Sequence, residues 1–170
     1  MAQVYISVGS NQERERRLRG AVAALASDFG ALVLSPVYES PAWGFEGDPF
    51  FNLVIGFDTG LAPDALVEHL RGIEVREGRV READRFRSRT LDLDLLLFED
   101  RVLRRGHLQI PRAEILEHAF VLKPLVDLLP EGAHPETGRT FADHWNAFCV
   151  RCPEDARALA RVPLDLSAHS

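Results

Sequence analysis

The stretch Thr90-Leu91-Asp92-Leu93-Asp94-Leu95-Leu96-Leu97-Phe98 constrains the fold more than any other part of the chain. Its apolar residues alternate with a period of two, which predicts a strand over Thr90 to Phe98. Leu91, Leu93 and Leu95 then face a core, and both carboxylates project together from the other face. Aspartate is a poor strand former, and two ionised carboxylates on one face repel unless a cation lies between or across them. A hard cation such as Mg²⁺ takes oxygen ligands and keeps phosphate oxygens in its shell. The plainer reading is an amphipathic strand with one wet face, and the pair alone does not separate the two.

Other elements arrange themselves around that strand. Residues 3–8 alternate as a strand that ends at the turn cluster Gly9-Ser10-Asn11. Leu18, Val22 and Leu25 recur at helical spacing, in a helix expected to stop near Gly30. Ala31 to Tyr38 reads as a strand, Ser40 to Pro49 as a Pro/Gly loop, and Phe50 to Asp58 as a strand. Pro63 suits the first turn of a second helix, with Leu66, Leu70 and Ile73 as its apolar stripe and Gly78 as its end. A short strand is expected at His107 to Ile110, a helix over Ala119 to Leu129, and another around Phe141 to Phe148. The order β-α-β-β-α-β fits an α+β fold of the ferredoxin-like kind, with an antiparallel sheet. The expected division is one domain over residues 1–150 and a C-terminal appendage over 151–170, where Ala156 to Ala160 could make a helical turn or two.

Composition excludes several classes. With 170 residues, 46% hydrophobic and 27% charged, the chain is neither a disordered tail nor a collagen nor a disulfide scaffold. No apolar run approaches the roughly 18 residues of a membrane span, and the first residues lack a signal-peptide pattern, so the expected address is the cytoplasm. Net charge is −6, yet Arg76 to Arg89 holds six arginines against Glu77, Glu82 and Asp84. A positive island on an acidic chain suggests a small anionic ligand rather than a long polyanion. Cys149 and Cys152 form a lone C-x-x-C without a second ligand pair, and read as ordinary thiols.

The arginine run lies immediately before the paired aspartates. Phosphoryl transfer needs a metal on the phosphates and cationic donors for the charge that develops on them. Asp92 and Asp94, with Arg79, Arg81, Arg85, Arg87 and Arg89, could supply both; the alternative is a solvated charged loop. Trp43, Phe45, Phe50 and Phe51 crowd one loop–strand junction beside Asn52. A flat heterocycle could stack on such rings while the amide reads its edge, although phenylalanine in a strand is commonly core. His107 and His118 flank Pro111-Arg112, where histidine is commonly polar surface. The chain has no phosphate-binding G-x-x-x-x-G-K-[ST] and no nucleophile elbow.

Taken in order, Gly9-Ser10-Asn11, Ser40-Pro41 with Gly44, Phe51-Asn52, Gly78-Arg79-Val80-Arg81 and Arg89-Thr90-Leu91-Asp92-Leu93-Asp94 resemble the 6-hydroxymethyl-7,8-dihydropterin pyrophosphokinase family. The resemblance runs from about Val4 to Trp145. It implies an α/β/α sandwich with a ferredoxin-like core, and an enzyme of folate biosynthesis that moves pyrophosphate from ATP to a pterin alcohol and releases AMP. On this resemblance Asp92 and Asp94 would hold two Mg²⁺ ions, and Arg79 and Arg89 would act on the phosphates. Glu74, Arg81, Phe86, Arg112 and His118 would lie on the nucleotide side, with Phe86 where the family usually has Trp. Ser40, Pro41, Trp43, Phe50, Asn52 and Phe120 would form the pterin pocket, Phe50 and Phe120 stacking and Asn52 reading the edge. The family usually carries His where this chain has Arg112, and Arg where it has His118. His118 would be only partly charged near neutral pH, which implies a weaker phosphate contact. The implied partners are ATP and the pterin, for a monomer that meets neither nucleic acid nor membrane. Two other readings use the same residues: a metal-dependent nuclease or phosphatase that attacks with water, and a ferredoxin-like sheet binding single-stranded RNA. The acidic net charge and the central carboxylates argue against the second.

Overall fold

The computed structural model describes residues 1–41, 47–78 and 91–166. The chain runs through β1 (Ala2–Ser10), α1 (Arg14–Phe29), β2 (Val33–Leu34), β3 (Val37–Ser40), β4 (Phe50–Thr59), α2 (Pro63–Glu77) and β5 (Asp92–Phe98). It continues through β6 (Leu103–Arg105), β7 (Leu108–Ile110), α3 (Glu114–Glu117), α4 (Ala119–Leu128), α5 (Phe141–Arg151), α6 (Pro153–Ala158) and β8 (Ala160–Val162). The main sheet has the order β5-β1-β4-β3-β8, with β2 also on β4, and its pairs are antiparallel. This is the expected ferredoxin-like core, in which the first strand lies between the third and the last of the β-α-β-β-α-β unit.

Alternation along the strands feeds two cores. Val4, Ile6, Val8, Leu53, Ile55, Leu93 and Leu95 pack against Leu18, Leu25, Leu66, Leu70 and Ile73 of α1 and α2. Tyr5, Val54, Leu96 and Leu97 face the other way, against Leu122, Leu125, Phe141 and Phe148 of α4 and α5. Helices therefore cover both faces. Each buried leucine contributes roughly 1.5–3 kcal/mol. An exposed ion pair such as Arg105–Asp64 contributes about 0–1 kcal/mol, so apolar packing, not surface charge, holds the layers. α1 stops where Gly30 takes a φ of 85°, a conformation that suits glycine, and donates its N–H to the Ala26 carbonyl. Among the described residues no helix is long and apolar enough to cross a membrane.

The elements differ from the sequence reading in several places. The strand expected over Ala31 to Tyr38 is split into β2 and β3 around Ser35-Pro36. Pro36 has no N–H to give a ladder, and the Ser35 hydroxyl accepts from the Val54 N–H at 2.9 Å. The short strand before Pro111 has an unforeseen partner, β6, and a one-turn helix, α3, follows it. Residues 153–166, read as an appendage, form α6 and then β8, which pairs with β3 and brings Leu166 into the first core. Cys149 and Cys152 are both free.

A buried histidine organises the turn before α5. His134 is 4% exposed, and its Nδ1 accepts N–H groups of Glu136 at 3.2 Å and Thr137 at 3.3 Å. Only a neutral ring can accept there. Burial, then the neighbouring His144, hold its pKa below the usual value of 6.5, with Glu136 opposing and Arg104 adding to the fall. The stability it contributes is complete above about 6.5 and is lost as pH falls below that value, because the unfolded chain takes up a proton that the folded one resists. The urea midpoint should fall between pH 7 and pH 5.5, and His134→Asn should flatten that dependence.

Candidate active site

Strand register sets one row of residues across the sheet. Tyr38 pairs with Asn52, Asn52 with Gly9, and Gly9 with Asp92. Directly paired residues project from one face, so these four share the side on which α4 packs. Ser7 pairs with Asp94 in the next row on that side. The two carboxylates thus share a face as their alternation predicts, while Leu91, Leu93 and Leu95 are buried opposite. A side chain on Gly9 would put its Cβ 3.2 Å from Asn52 Oδ1. Asn52 is itself buried, and its Nδ2 donates to Ser40 Oγ at 2.8 Å and to the Tyr38 carbonyl at 3.4 Å. The amide nitrogen is engaged within the sheet, and the amide oxygen is the atom suited to accept from a ligand.

Two cavities meet at the aspartates. The first, of about 320 Å³, is lined by Ser40, Pro41, Phe50, Asn52 and Phe120 among others. The second, of about 300 Å³, lies between β5, α2 and β7 and is lined by Arg71, Glu74, His107 and Gln109 among others. Asp92, Asp94 and Arg112 line both. The first is mostly apolar with a few polar groups, as suits a flat organic ring; the second is charged.

Glu74 stands behind the pair. Its Oε2 accepts the Leu93 N–H at 2.7 Å, satisfying an outward donor of the edge strand β5. Burial above all, with the carboxylates of Asp92 and Asp94 adding to it, pushes its carboxyl up to about 7 against the Leu93 bond and Arg71, which pull it down. Among the described residues no cluster of three or more His, Cys, Asp or Glu forms a metal cage. Mg²⁺ needs none, because it is usually held by one or two carboxylates together with phosphate oxygens and water. The oxygen donors of Asp92 and Asp94 fit such an ion.

Arg112 and His118 lie on the α4 side. The Arg112 N–H donates to the Leu96 carbonyl at 3.0 Å, which fastens the segment after β7 to β5. Its guanidinium donates from Nε to Glu114 at 2.6 Å and lies 3.7 Å from Asp94 Oδ1. The His118 ring stacks on Phe120, with centroids 4.8 Å apart and planes at 14°.

Comparison with known proteins shows the family. The family model for 7,8-dihydro-6-hydroxymethylpterin-pyrophosphokinase matches residues 5–130. The chain belongs to this family. A 2-amino-4-hydroxy-6-hydroxymethyldihydropteridine pyrophosphokinase of Pseudomonas aeruginosa is 39% identical over 95% of this chain and 97% of its own length. The enzyme of the same name from Aquifex aeolicus is 34% identical over 79% of this chain and 85% of its own. Among solved structures, a wild-type HPPK-DHPS of Plasmodium falciparum with pterin and p-hydroxybenzoate aligns at a TM-score of 0.78 with 14% identity. That alignment covers 96% of this chain and 45% of the larger one, and it shows the shared fold. As a pyrophosphokinase of folate biosynthesis, the chain is a transferase and a kinase in the broad sense.

Of the residues that the family resemblance singles out, Ser40, Pro41, Phe50, Asn52 and Phe120 come together at the first cavity. Glu74 and Arg112 line the second, whereas His118, expected on the nucleotide side, lines the first. Trp43, Arg79, Arg81, Phe86 and Arg89 lie outside the described residues. Arg71 was missed, although it precedes Glu74 by three residues and so shares its helix face. Glu114 was missed because no local pattern marks a residue whose role is to hold Arg112. Glu74→Gln keeps an acceptor for the Leu93 N–H and should leave stability at pH 7 nearly unchanged. Glu74→Ala strands that N–H and should cost about 1–3 kcal/mol in urea unfolding.

Proposed function

We propose that this chain transfers the β,γ-diphosphate of ATP to the hydroxymethyl oxygen of 6-hydroxymethyl-7,8-dihydropterin, with Mg²⁺ as cofactor and AMP as the second product. The observation that carries this reading is the junction of an aromatic, amide-floored cavity with a charged one at Asp92, Asp94 and Arg112. The pterin ring would lie against Phe50 and Phe120 with a donor edge on Asn52 Oδ1, and Ser40, Pro41 and Trp43 would line the same pocket. The phosphates would occupy the second cavity, near Arg71, Glu74, Arg81, Phe86 and Arg112. Held so, the alcohol and the β-phosphorus meet across the aspartates, which supplies much of the rate enhancement by proximity.

The alcohol oxygen forms a bond to the β-phosphorus. The bond from that phosphorus to the α–β bridging oxygen breaks, AMP leaves with the electron pair, and the hydroxyl proton passes to solvent. Mg²⁺ on Asp92 and Asp94, two ions in this reading, would neutralise phosphate charge and lower the pKa of the alcohol when bound. Arg79, Arg89 and Arg112 offset the charge on the transferring group. His118, stacked on Phe120, would extend the aromatic wall of the first cavity beside the ring. The chain would act as a cytoplasmic monomer, with neither nucleic acid nor membrane as partner.

Chromatography of a mixture with ATP, Mg²⁺ and the pterin should show AMP, and only when the pterin is present. ADP would instead mean ordinary kinase chemistry, and nucleotide breakdown without pterin would mean a hydrolase. Asp92→Ala and Asp94→Ala should each lower AMP formation at least about 10³-fold while circular dichroism is unchanged. Arg89→Ala should lower kcat by about 10²–10³-fold, as loss of one charge-stabilising donor does, with ATP affinity changed far less in a direct titration.

A further inference from the structure

The first cavity has walls from two different layers. β3 supplies Ser40, followed by Pro41; α4 supplies Phe120 and Val121. β3 is fixed in the sheet by ladders to β4 and β8. α4 rests on the sheet through Val121, Leu122 and Leu125, and apolar packing of that kind is not directional. Something more specific must fix how far Phe120 stands from the sheet.

One hydrogen bond joins the two walls. Tyr38 of β3 is 6% exposed, and its O–H donates to Asp127 Oδ2 on α4. Asp127 is oriented by Lys123 one turn earlier, whose Nζ donates to Oδ1 at 2.7 Å. Asp127 follows Phe120 by seven residues, so the two lie on nearly the same face of α4, roughly 10 Å apart along its axis. Pinning Asp127 to β3 therefore fixes both the rotation of α4 and its distance from the sheet. Tyr38 also reaches the cavity floor, because its carbonyl accepts from Asn52 Nδ2. A single residue is thus bonded to the helix that carries Phe120 and to the amide that faces the ring. Burial, then the bond to Asp127 and that carboxylate's charge, hold the Tyr38 phenol well above its usual range, with Arg161 opposing. Its O–H remains a donor throughout the neutral range.

We propose that Tyr38 and Asp127 form a positioning clamp that sets the gap between Phe120 and Asn52, and with it the affinity for the flat ring. This rests on the pterin reading of the first cavity. Neither residue touches reacting atoms; both act through Phe120 and Asn52. Tyr38→Phe removes one oxygen, keeps the buried ring, and leaves Asp127 paired with Lys123, so the fold persists. The test is steady-state kinetics on wild type, Tyr38→Phe, Asp127→Ala and the double variant, with thermal melts alongside. Tyr38→Phe should raise the pterin KM about tenfold, with kcat at saturating pterin and the ATP KM within about twofold. Asp127→Ala should give a similar rise, and the double variant no more than either alone. An unchanged pterin KM in Tyr38→Phe overturns the clamp while the functional reading stands. Equal losses in kcat and both KM values overturn it too, because they mark general weakening of the fold. A wild-type protein that neither binds pterin nor forms AMP overturns the functional reading and the clamp with it.

Discussion

The site depends on β1 being paired on both sides at once. Its ladder to β4 sets Gly9 opposite Asn52, and its ladder to β5 sets Gly9 opposite Asp92. Side chains alternate with a period of two, so a slip of one residue in the second ladder would turn Asp92 and Asp94 into the core and Leu93 out of it. Burying two unpaired carboxylates costs far more than such a slip could return. The hydrophobic pattern that folds the sheet is therefore the same pattern that presents the carboxylates. Gly9 completes the row by leaving room where any side chain would press on Asn52.

Charge at the junction is balanced by two arginines from different elements. Asp92, Asp94 and Glu74 gather negative potential on a chain that is already acidic, and the two aspartates add to the rise that burial imposes on the Glu74 pKa. Arg112 and Arg71 answer it from opposite sides, one after β7 and the other on α2. Glu74 has a second duty, because its carboxylate closes the Leu93 N–H on a strand that is at the sheet edge among the described residues. One side chain thus links the backbone hydrogen bonding of β5 to the electrostatics of the site that β5 carries.

The family match ends at residue 130, yet the fold does not. β8 adds a strand outside β3, and the segment that follows sends Leu166 into the first core. The Pseudomonas aeruginosa relative aligns over 95% of this chain, so its similarity extends into this region. β3 is consequently an interior strand where Tyr38 stands, paired with Asn52 on one side and Arg161 on the other. A wall of the first cavity gains rigidity from residues far beyond it in sequence.

Local periodicity alone determined much of this protein. The alternation in Asp92 to Phe98, the helical spacing of Leu18, Val22 and Leu25, and that of Leu66, Leu70 and Ile73 reported which face of each element is apolar. From these came the β-α-β-β-α-β order and the shared face of Asp92 and Asp94. The aromatic crowding beside Asn52 suggested a site for a flat ring, and the family resemblance added Ser40, Pro41 and Phe120 to it. Periodicity reports a face but not a neighbour, and there the reading stopped. The break at Ser35-Pro36, the three-residue strands β6 and β8, and the side of the junction on which His118 lies all depend on partners far away in the chain. So does the bond between Tyr38 and Asp127, 89 residues apart. Such contacts form only when the sheet and helices have already brought the segments together, because each gains its free energy from a partner that no local pattern names.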